Sequence, residues 1–494
     1  MTHLARRPWS IRFAAVAAAV VLVLTGCTPD PPAPDPSPST SRTPVPDVIL
    51  DIEAGRSDTV RDPIYPEYGN AALDVLAYRL KLDWNPDVRE LSGVATLTVR
   101  AITAVSTVQL DFSDSYTVDD VTVDGADVTS SWVGDDITVP KQLAADARTT
   151  LVVQYHGRPT TVPMPSGRGD FDEGLGLRVA TRGEAWTMQE PYGASTWYPV
   201  NDTPSDEAVY DVTVTVPTGW SAVAHGRLVG IENSPGLDSF RWVSTDPVAS
   251  YLATLALGRY TKHEDVGPGG LPITYWIRTD RDEDVLPALQ RSPELLEWLA
   301  DRFGPYPFPS AGVVLVDSES AMETQQMITF GAKRGGAADL DRIAETLLHE
   351  YAHQWFGDAV TPKDWNGLWL NEGWAMYTEM LWTIDEGYLT DAEWVIWARA
   401  ADAESRPIAG PPGHPNPDHF AEVIVYVGGA MMLRAIHKAI GDDAFFALGR
   451  DWVQQHRNTQ VDRAQFTQFV NEHTGQDFTG VINAWLDSPT TPPA

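Results

Sequence analysis

The chain is 494 residues long, 43% apolar and 21% charged, with 38 Pro, 38 Gly and a single Cys. That length holds two or three domains, each able to bury a core of its own. A net charge of −33 excludes nucleic acid and anionic membrane surfaces as partners, since both would repel it, and one Cys excludes a disulfide framework.

Arg6, Arg7 and Arg12 make a basic opening, and residues 13–24 follow as a short apolar run, the pattern of a secretory leader. The run falls short of the roughly 20 residues that a membrane-spanning helix needs. Leu24-Thr25-Gly26-Cys27 closes it in the manner of a bacterial lipobox, whose Cys carries the lipid. Residues 1–27 are therefore expected to be a lipoprotein signal peptide that leaves the protein on the extracytoplasmic face of the cell membrane, anchored through Cys27. Residues 28–61 begin TPDPPAPDPSPSTSRTPVPDV; Pro, Ser, Thr and Asp dominate, and a disordered tether is expected.

From 62 to 260 the pattern is that of strands. Ala95, Leu97, Val99 and Ala101 alternate with Thr96, Thr98 and Arg100, and Tyr210, Val212, Val214 and Val216 alternate with Asp211, Thr213 and Thr215. Alternation of this kind predicts half-buried strands, and many such runs punctuated by Asp-Gly, Pro and Asn predict a large antiparallel β-domain.

Residues 261–488 read as a second, mainly helical domain. Ser292-Pro293-Glu294 suggests an N-cap, a first-turn Pro and an early acid, with a stop at Gly304-Pro305. A strand-like Val313–Val316 leads to Ser320-Ala321-Met322-Glu323-Thr324. A Pro/Gly-rich loop is expected over 406–418, helices at 429–440, 443–455, 464–473 and 481–486, and a short tail at 489–494.

The chemistry concentrates between Glu345 and Glu379. His349-Glu350-x-x-His353 is followed, after eighteen residues, by Glu372. Residues four apart share one face of a helix, so His349 and His353 can meet one ion. Glu350 is rotated off that line, where a general base belongs. Hydrolytic zinc takes three protein ligands and keeps an open position; Glu372 is the candidate third. A polar helix face with two satisfied histidines is the bland alternative. Ile343, Leu347 and Tyr351 recur on the helical period and weigh against it. Glu379, seven residues beyond Glu372, is either a carboxylate orienting a zinc histidine or a solvent-exposed helix residue. His414, His419, His437, His456 and His473 have no ligand spacing and read as loop or surface residues; Trp355, Trp365, Trp369, Trp374 and Trp382 read as core.

These residues resemble the zinc aminopeptidases related to aminopeptidase N, which are gluzincins. His349-Glu350-Tyr351-Ala352-His353-Gln354-Trp355-Phe356-Gly357 is similar to the extended signature of that family, and Glu372 stands in Asn371-Glu372-Gly373 at the position of its third ligand. The resemblance implies a fold of α+β type, an antiparallel β-domain followed by a thermolysin-like, mainly helical catalytic domain. It implies one zinc ion on His349, His353 and Glu372, Glu350 as general base, and Tyr426 stabilising the oxyanion. Ser320-Ala321-Met322-Glu323-Thr324 resembles the Gly-Ala-Met-Glu-Asn exopeptidase motif, which implies that Glu323 binds the substrate ammonium with Ala321 and Met322 beside it. Gln189 falls where the family has a β-domain residue that also meets the amine. Departures are Ser320 for Gly, Thr324 for Asn, and Val427-Gly428 after Tyr426. Many members continue into a C-terminal helical domain; this sequence is expected to lack it and to have a more open cleft.

The function implied is zinc-dependent hydrolysis of the first peptide bond of peptides with a free N-terminus. A zinc endopeptidase on the same scaffold and a catalytically inactive cell-surface binding protein are the rivals. Epoxide hydrolysis, known in one branch, has nothing to single it out here.

Overall fold

The structure, a computed structural model, describes residues 48–279, 283–332 and 340–493. The leader, Cys27 and the tether as far as residue 47 lie outside the described residues.

The alternating segments form an eight-stranded sheet in the spatial order Arg227–Ser234, Leu237–Ala249, Glu207–Pro217, Leu73–Asn85, Glu90–Ala101, Arg148–Gly157, Tyr116–Val123 and Ala126–Asp127. Pairing is antiparallel at every step but one: Leu73–Asn85 runs parallel to Glu207–Pro217, with Leu80 beside Val212. Ala95, Leu97 and Val99 point into the core, as the period of two requires. A four-stranded sheet follows the order Ser221–Ala224, Leu255–Gly258, Ala185–Met188 and Gly176–Val179.

The stretch 50–61, expected to be tether, belongs to the β-domain. Leu50 packs with Ala77, Val209 and Val243, and Ser57 and Thr59 are buried. The cause is polar as well as apolar. Arg100, on the face of its strand opposite Leu97 and Val99 and yet buried, pairs with Asp74 at 2.7 Å and also donates to the carbonyl of Ser57. Ser57 N in turn donates to Asp74 Oδ1 at 3.2 Å. A buried guanidinium needs every acceptor it can reach, and this segment supplies one.

The second sheet system begins at Tyr260–Val266 and continues through Pro272–Arg278, Ala311–Val316 and Ile328–Gly331 to an edge strand, Ala321–Met322. Nine helices are described: α1 (Leu286–Leu289), α2 (Ser292–Phe303), α3 (Leu340–His353), α4 (Leu368–Asp385), α5 (Asp391–Ala409), α6 (Val423–Ile440), α7 (Asp442–His456), α8 (Arg463–Thr474) and α9 (Thr479–Asp487). Ser292 sits inside the first turn of α2 and does not cap it: its Oγ donates to Leu289 O at 2.6 Å and accepts from Tyr351 of α3 at 2.9 Å. Helix α5 runs on through Arg406 and Pro407, so the expected loop starts only at Gly410. Buried Arg406, held by Asp402 at 2.7 Å and donating to the carbonyls of Trp485 and Ser488, fixes that last turn despite the proline.

Trp355, Trp369, Trp374 and Trp382 lie in the helical core, and Trp365 lies with Leu368, Phe420, Ile424 and Val425 in the core of the β-domain. The two halves thus share packing. His437, read as a surface residue, is buried: its Nδ1 is 2.7 Å from Tyr377 Oη and its ring stacks on Phe445. Helices α4 and α6 cross at Gly373 and Gly429, where a Cβ on Gly373 would stand 2.8 Å from Gly429 Cα. Only glycines permit that approach, and it brings Glu372 of α4 to Tyr426 of α6.

Candidate metal centre and its cleft

Helix α3 buries Ile343, Leu347 and Tyr351 and turns His349, Glu350 and His353 toward a cleft of about 510 Å³. Helix α4 brings Glu372 to the same point. Glu372 Oε2 is 3.3 Å from Nε2 of each histidine, and one ligand atom from each of the three residues lies within 4.8 Å of the others. Glu379, one turn pair further along α4, places Oε2 2.8 Å from His349 Nδ1. That hydrogen bond fixes which nitrogen of His349 faces Glu372.

The electrostatics suit a cation. Burial would strip charge from the histidines, but Glu372 and Glu379 hold His349 well above the ordinary imidazole range. Burial would likewise push Glu372 up, and His353 and His349 outweigh it and hold it well below the usual carboxylate range. Two imidazole nitrogens and one carboxylate oxygen, buried and convergent, are the donor set zinc takes with a fourth position left open.

Two matches to family models bear on this site. The Peptidase M1 N-terminal domain matches residues 75–252, and the Peptidase family M1 domain matches residues 287–485. The chain belongs to the M1 peptidase family. It is similar to the M1 zinc metallopeptidase of Deinococcus radiodurans, at 28% identity and a TM-score of 0.78, covering 88% of this chain and 99% of that one. A mutant of that protein, bound to a Tyr-Ser-Ala substrate, matches at 27% identity and a TM-score of 0.76. Among curated relatives, Aminopeptidase M1 of Arabidopsis thaliana is 24% identical over 326 residues, which is 61% of this chain and 36% of that protein. Aminopeptidase N of Bos taurus is 26% identical over 289 residues, 53% of this chain and 30% of that protein. The match thus spans only about a third of the length of such relatives.

Facing His349, His353 and Glu372 is an acidic wall. Glu323 follows the edge strand Ala321–Met322, and all three residues line the cleft. Gln354, the residue after the second histidine, donates to Glu323 O at 2.8 Å and accepts from Gln326 N and Tyr306 Oη. It thereby ties the Glu323 backbone to the end of α3. Glu190 reaches the same cleft from the β-domain. Among the described residues Glu190 Oε1 and Glu323 Oε1 are buried without a hydrogen-bond partner. Burial pushes Glu190 well above the usual carboxylate range, and Glu323 nearby adds to it. Buried carboxylates without partners are costly, and a cation arriving between them removes that cost.

Gln189 does not face the cleft. Its Nε2 donates to Ser250 O at 2.6 Å and Ala253 O at 2.8 Å, and its Oε1 accepts from Trp197 Nε1 at 2.9 Å. A fully buried amide with its groups so engaged has nothing to offer a substrate. The strand ends at Met188; beyond it Gln189 turns with Thr187 toward Ser250 and Thr254, and Glu190, next in the chain, turns to the cleft.

Tyr426 lines the cleft with its ring 6.0 Å from that of His349 and inclined by 27°. Burial and the neighbouring Glu372 keep its phenol protonated, far above the ordinary range. The two departures after Tyr426 have physical causes. Val427 is core, and a Cβ on Gly428 would stand 2.6 Å from Pro412 Cγ. Arg168, which sequence reasoning did not single out, also lines the cleft.

Proposed function

We propose that this protein is a zinc-dependent aminopeptidase that removes single residues from peptides with a free N-terminus. One observation carries the proposal: His349, His353 and Glu372 converge across a cleft from Glu190 and Glu323, each with a buried, unpartnered oxygen. The first group suits a divalent ion. The second suits an ammonium, held by charge-assisted hydrogen bonds.

Zinc, when bound, supplies Lewis acidity toward a carbonyl oxygen and makes a nearby water easier to deprotonate. Glu350 takes the proton from the attacking water and delivers it to the leaving amine. Tyr426 donates its O–H to the carbonyl oxygen as that oxygen gains charge. Glu190 and Glu323 hold the substrate ammonium, so only the first peptide bond reaches Glu350. The edge strand Ala321–Met322 lies beside that path.

The test compares one peptide with a free and an acetylated N-terminus, using the zinc-loaded full chain. Cleavage of the first bond of the free peptide alone is expected. Internal cuts that survive acetylation would make the protein an endopeptidase, and bound zinc with no cleavage of any peptide would make it a binding protein.

A lipid anchor at Cys27 on the extracytoplasmic face of the membrane is part of the same proposal. It is supported by the basic opening, the short apolar run and Leu24-Thr25-Gly26-Cys27. Cys27→Ser is expected to abolish incorporation of labelled lipid and release the protein; unchanged membrane retention of that variant would refute the anchor.

A further inference from the structure

The β-domain contributes a cation to the cleft. Arg168 Nη1 donates to Tyr426 Oη at 3.1 Å and to Ala421 O at 2.9 Å. Its Nε and Nη2 donate to the two oxygens of Asp170, at 3.1 and 2.7 Å. The guanidinium lies 5.0 Å from the ring centre of Phe171. Across the cleft, Ser320 Oγ donates to Asp170 Oδ2 at 3.0 Å. An unbroken run of hydrogen bonds therefore leads from Ser320, through Asp170 and Arg168, to Tyr426.

We propose that Arg168 is a positioning residue for Tyr426 and that Ser320 and Asp170 hold it in that role. This rests on the aminopeptidase function proposed above. A guanidinium has five N–H donors and no acceptor, so the phenol oxygen can only accept from it. The single phenol hydrogen is then left for the opposite side, where the metal ligands stand. A charged donor behind the phenol oxygen also polarises the O–H and makes it a stronger donor. Both effects grow as the substrate carbonyl becomes negative, so they act on the transition state more than on the bound substrate.

The same arrangement gives Ser320 a purpose. In place of the glycine expected at this position, its hydroxyl is committed to Asp170 and secures the loop that carries Arg168. Ala421, whose carbonyl Arg168 holds, has a φ of +53°, a backbone state uncommon outside glycine. It leads into α6, five residues before Tyr426.

A mere staple between the β-domain and α6 would show in stability alone. The test therefore separates kcat, KM and transition-state affinity. Arg168→Ala, Arg168→Lys, Ser320→Gly, Tyr426→Phe and the Arg168→Ala/Tyr426→Phe pair are compared in the zinc-loaded full chain. Hydrolysis of an aminoacyl p-nitroanilide is measured. Binding of a phosphinic dipeptide, whose charged tetrahedral centre mimics the transition state, is compared with binding of a free amino acid by calorimetry.

Arg168→Ala is expected to lower kcat by about 10- to 100-fold with KM within about 3-fold, below the loss from deleting an oxyanion donor outright. It should weaken phosphinic dipeptide binding by a similar factor and leave amino acid binding within about 3-fold. Arg168→Lys should recover part of the loss, and the double variant should be no slower than Tyr426→Phe. An increase in KM with kcat retained, or losses that multiply in the double variant, would overturn the proposal. If Arg168→Ala does not fold, Ser320→Gly carries the test: kcat lowered about 3-fold or more at constant KM supports the proposal, and an unchanged kcat overturns it. If the wild-type chain hydrolyses nothing, the aminopeptidase function fails while the two binding measurements still test Arg168.

Discussion

The two walls of the cleft are built on different principles. The helical wall takes its chemistry from α3 and α4, where His349, Glu350, His353, Glu372 and Glu379 repeat on the helical period and are aimed by it. The β-domain wall takes Glu190 from the turn just past a strand and Arg168 from an irregular loop, the latter aimed by contacts far away in sequence. The helical wall can be aimed by local spacing, and the β-domain wall only by the completed fold. The division predicts that changes on the helical wall stop the chemistry, that changes to the carboxylates facing it alter which substrate is held and how well, and that Arg168 acts on the chemistry only through Tyr426 of the helical wall.

The largest effect is expected at Glu350. Glu350→Gln keeps the shape and removes the base, and should lower kcat by about 10³-fold with zinc content unchanged by elemental analysis. A loss below about 10-fold would move the base elsewhere. Across the cleft, Glu323→Ala should reduce kcat/KM for free N-termini by about 10- to 100-fold, the worth of a charge-assisted hydrogen bond, and Glu190→Gln by about 10-fold. Equal effects of either change on free and acetylated peptides would erase the contrast between the walls.

Gln189 sharpens it further. Gln189→Ala strips partners from two carbonyls and an indole and should destabilise the fold by about 2 kcal/mol, read by denaturant unfolding. Its kcat/KM should stay within about 3-fold of wild type. A selective loss of free-peptide turnover would return Gln189 to the cleft.

A last effect, visible only as a pH dependence, concerns the joint between the halves. Buried Glu207, bonded to Thr361 and Gln460, is pushed up by burial from its ordinary 4.5 to about 7. The folded chain then holds a proton that the unfolded chain releases. This stabilisation is full below about pH 4.5 and is lost as pH rises through about 7. The loss is of order 3 kcal/mol. Glu207→Gln should gain stability over wild type at pH 8 and little at pH 4.5, followed by denaturant unfolding; parallel pH profiles would assign the effect to other groups.

What could be read from the sequence follows the same division. His349, His353 and Glu372 were accessible because a helix converts spacing into direction, and an apolar stripe fixes which way the helix lies. Gln189 was named where Glu190 faces the cleft, because past the strand end at Met188 no local period says which of two adjacent side chains turns outward. Arg168 was invisible, since nothing local links it to Tyr426, 258 positions later. The order of 50–61 was hidden because its few apolar residues follow no strand or helix period, and it settles on partners distant in sequence: Leu50 on Ala77, Val209 and Val243, and Ser57 on Arg100 and Asp74. His437 lacked any ligand spacing, and its burial depends on Tyr377 and Phe445 from other parts of the helical core.

The most direct test of the two-walled cleft is a crystal structure of the zinc-loaded Glu350→Gln chain with an uncleaved tripeptide. The expected result places the peptide ammonium within hydrogen-bond distance of Glu190 Oε1 and Glu323 Oε1, with the first peptide carbonyl between the metal and Tyr426. An amine seated away from both carboxylates, with an internal peptide bond over the metal, would contradict it.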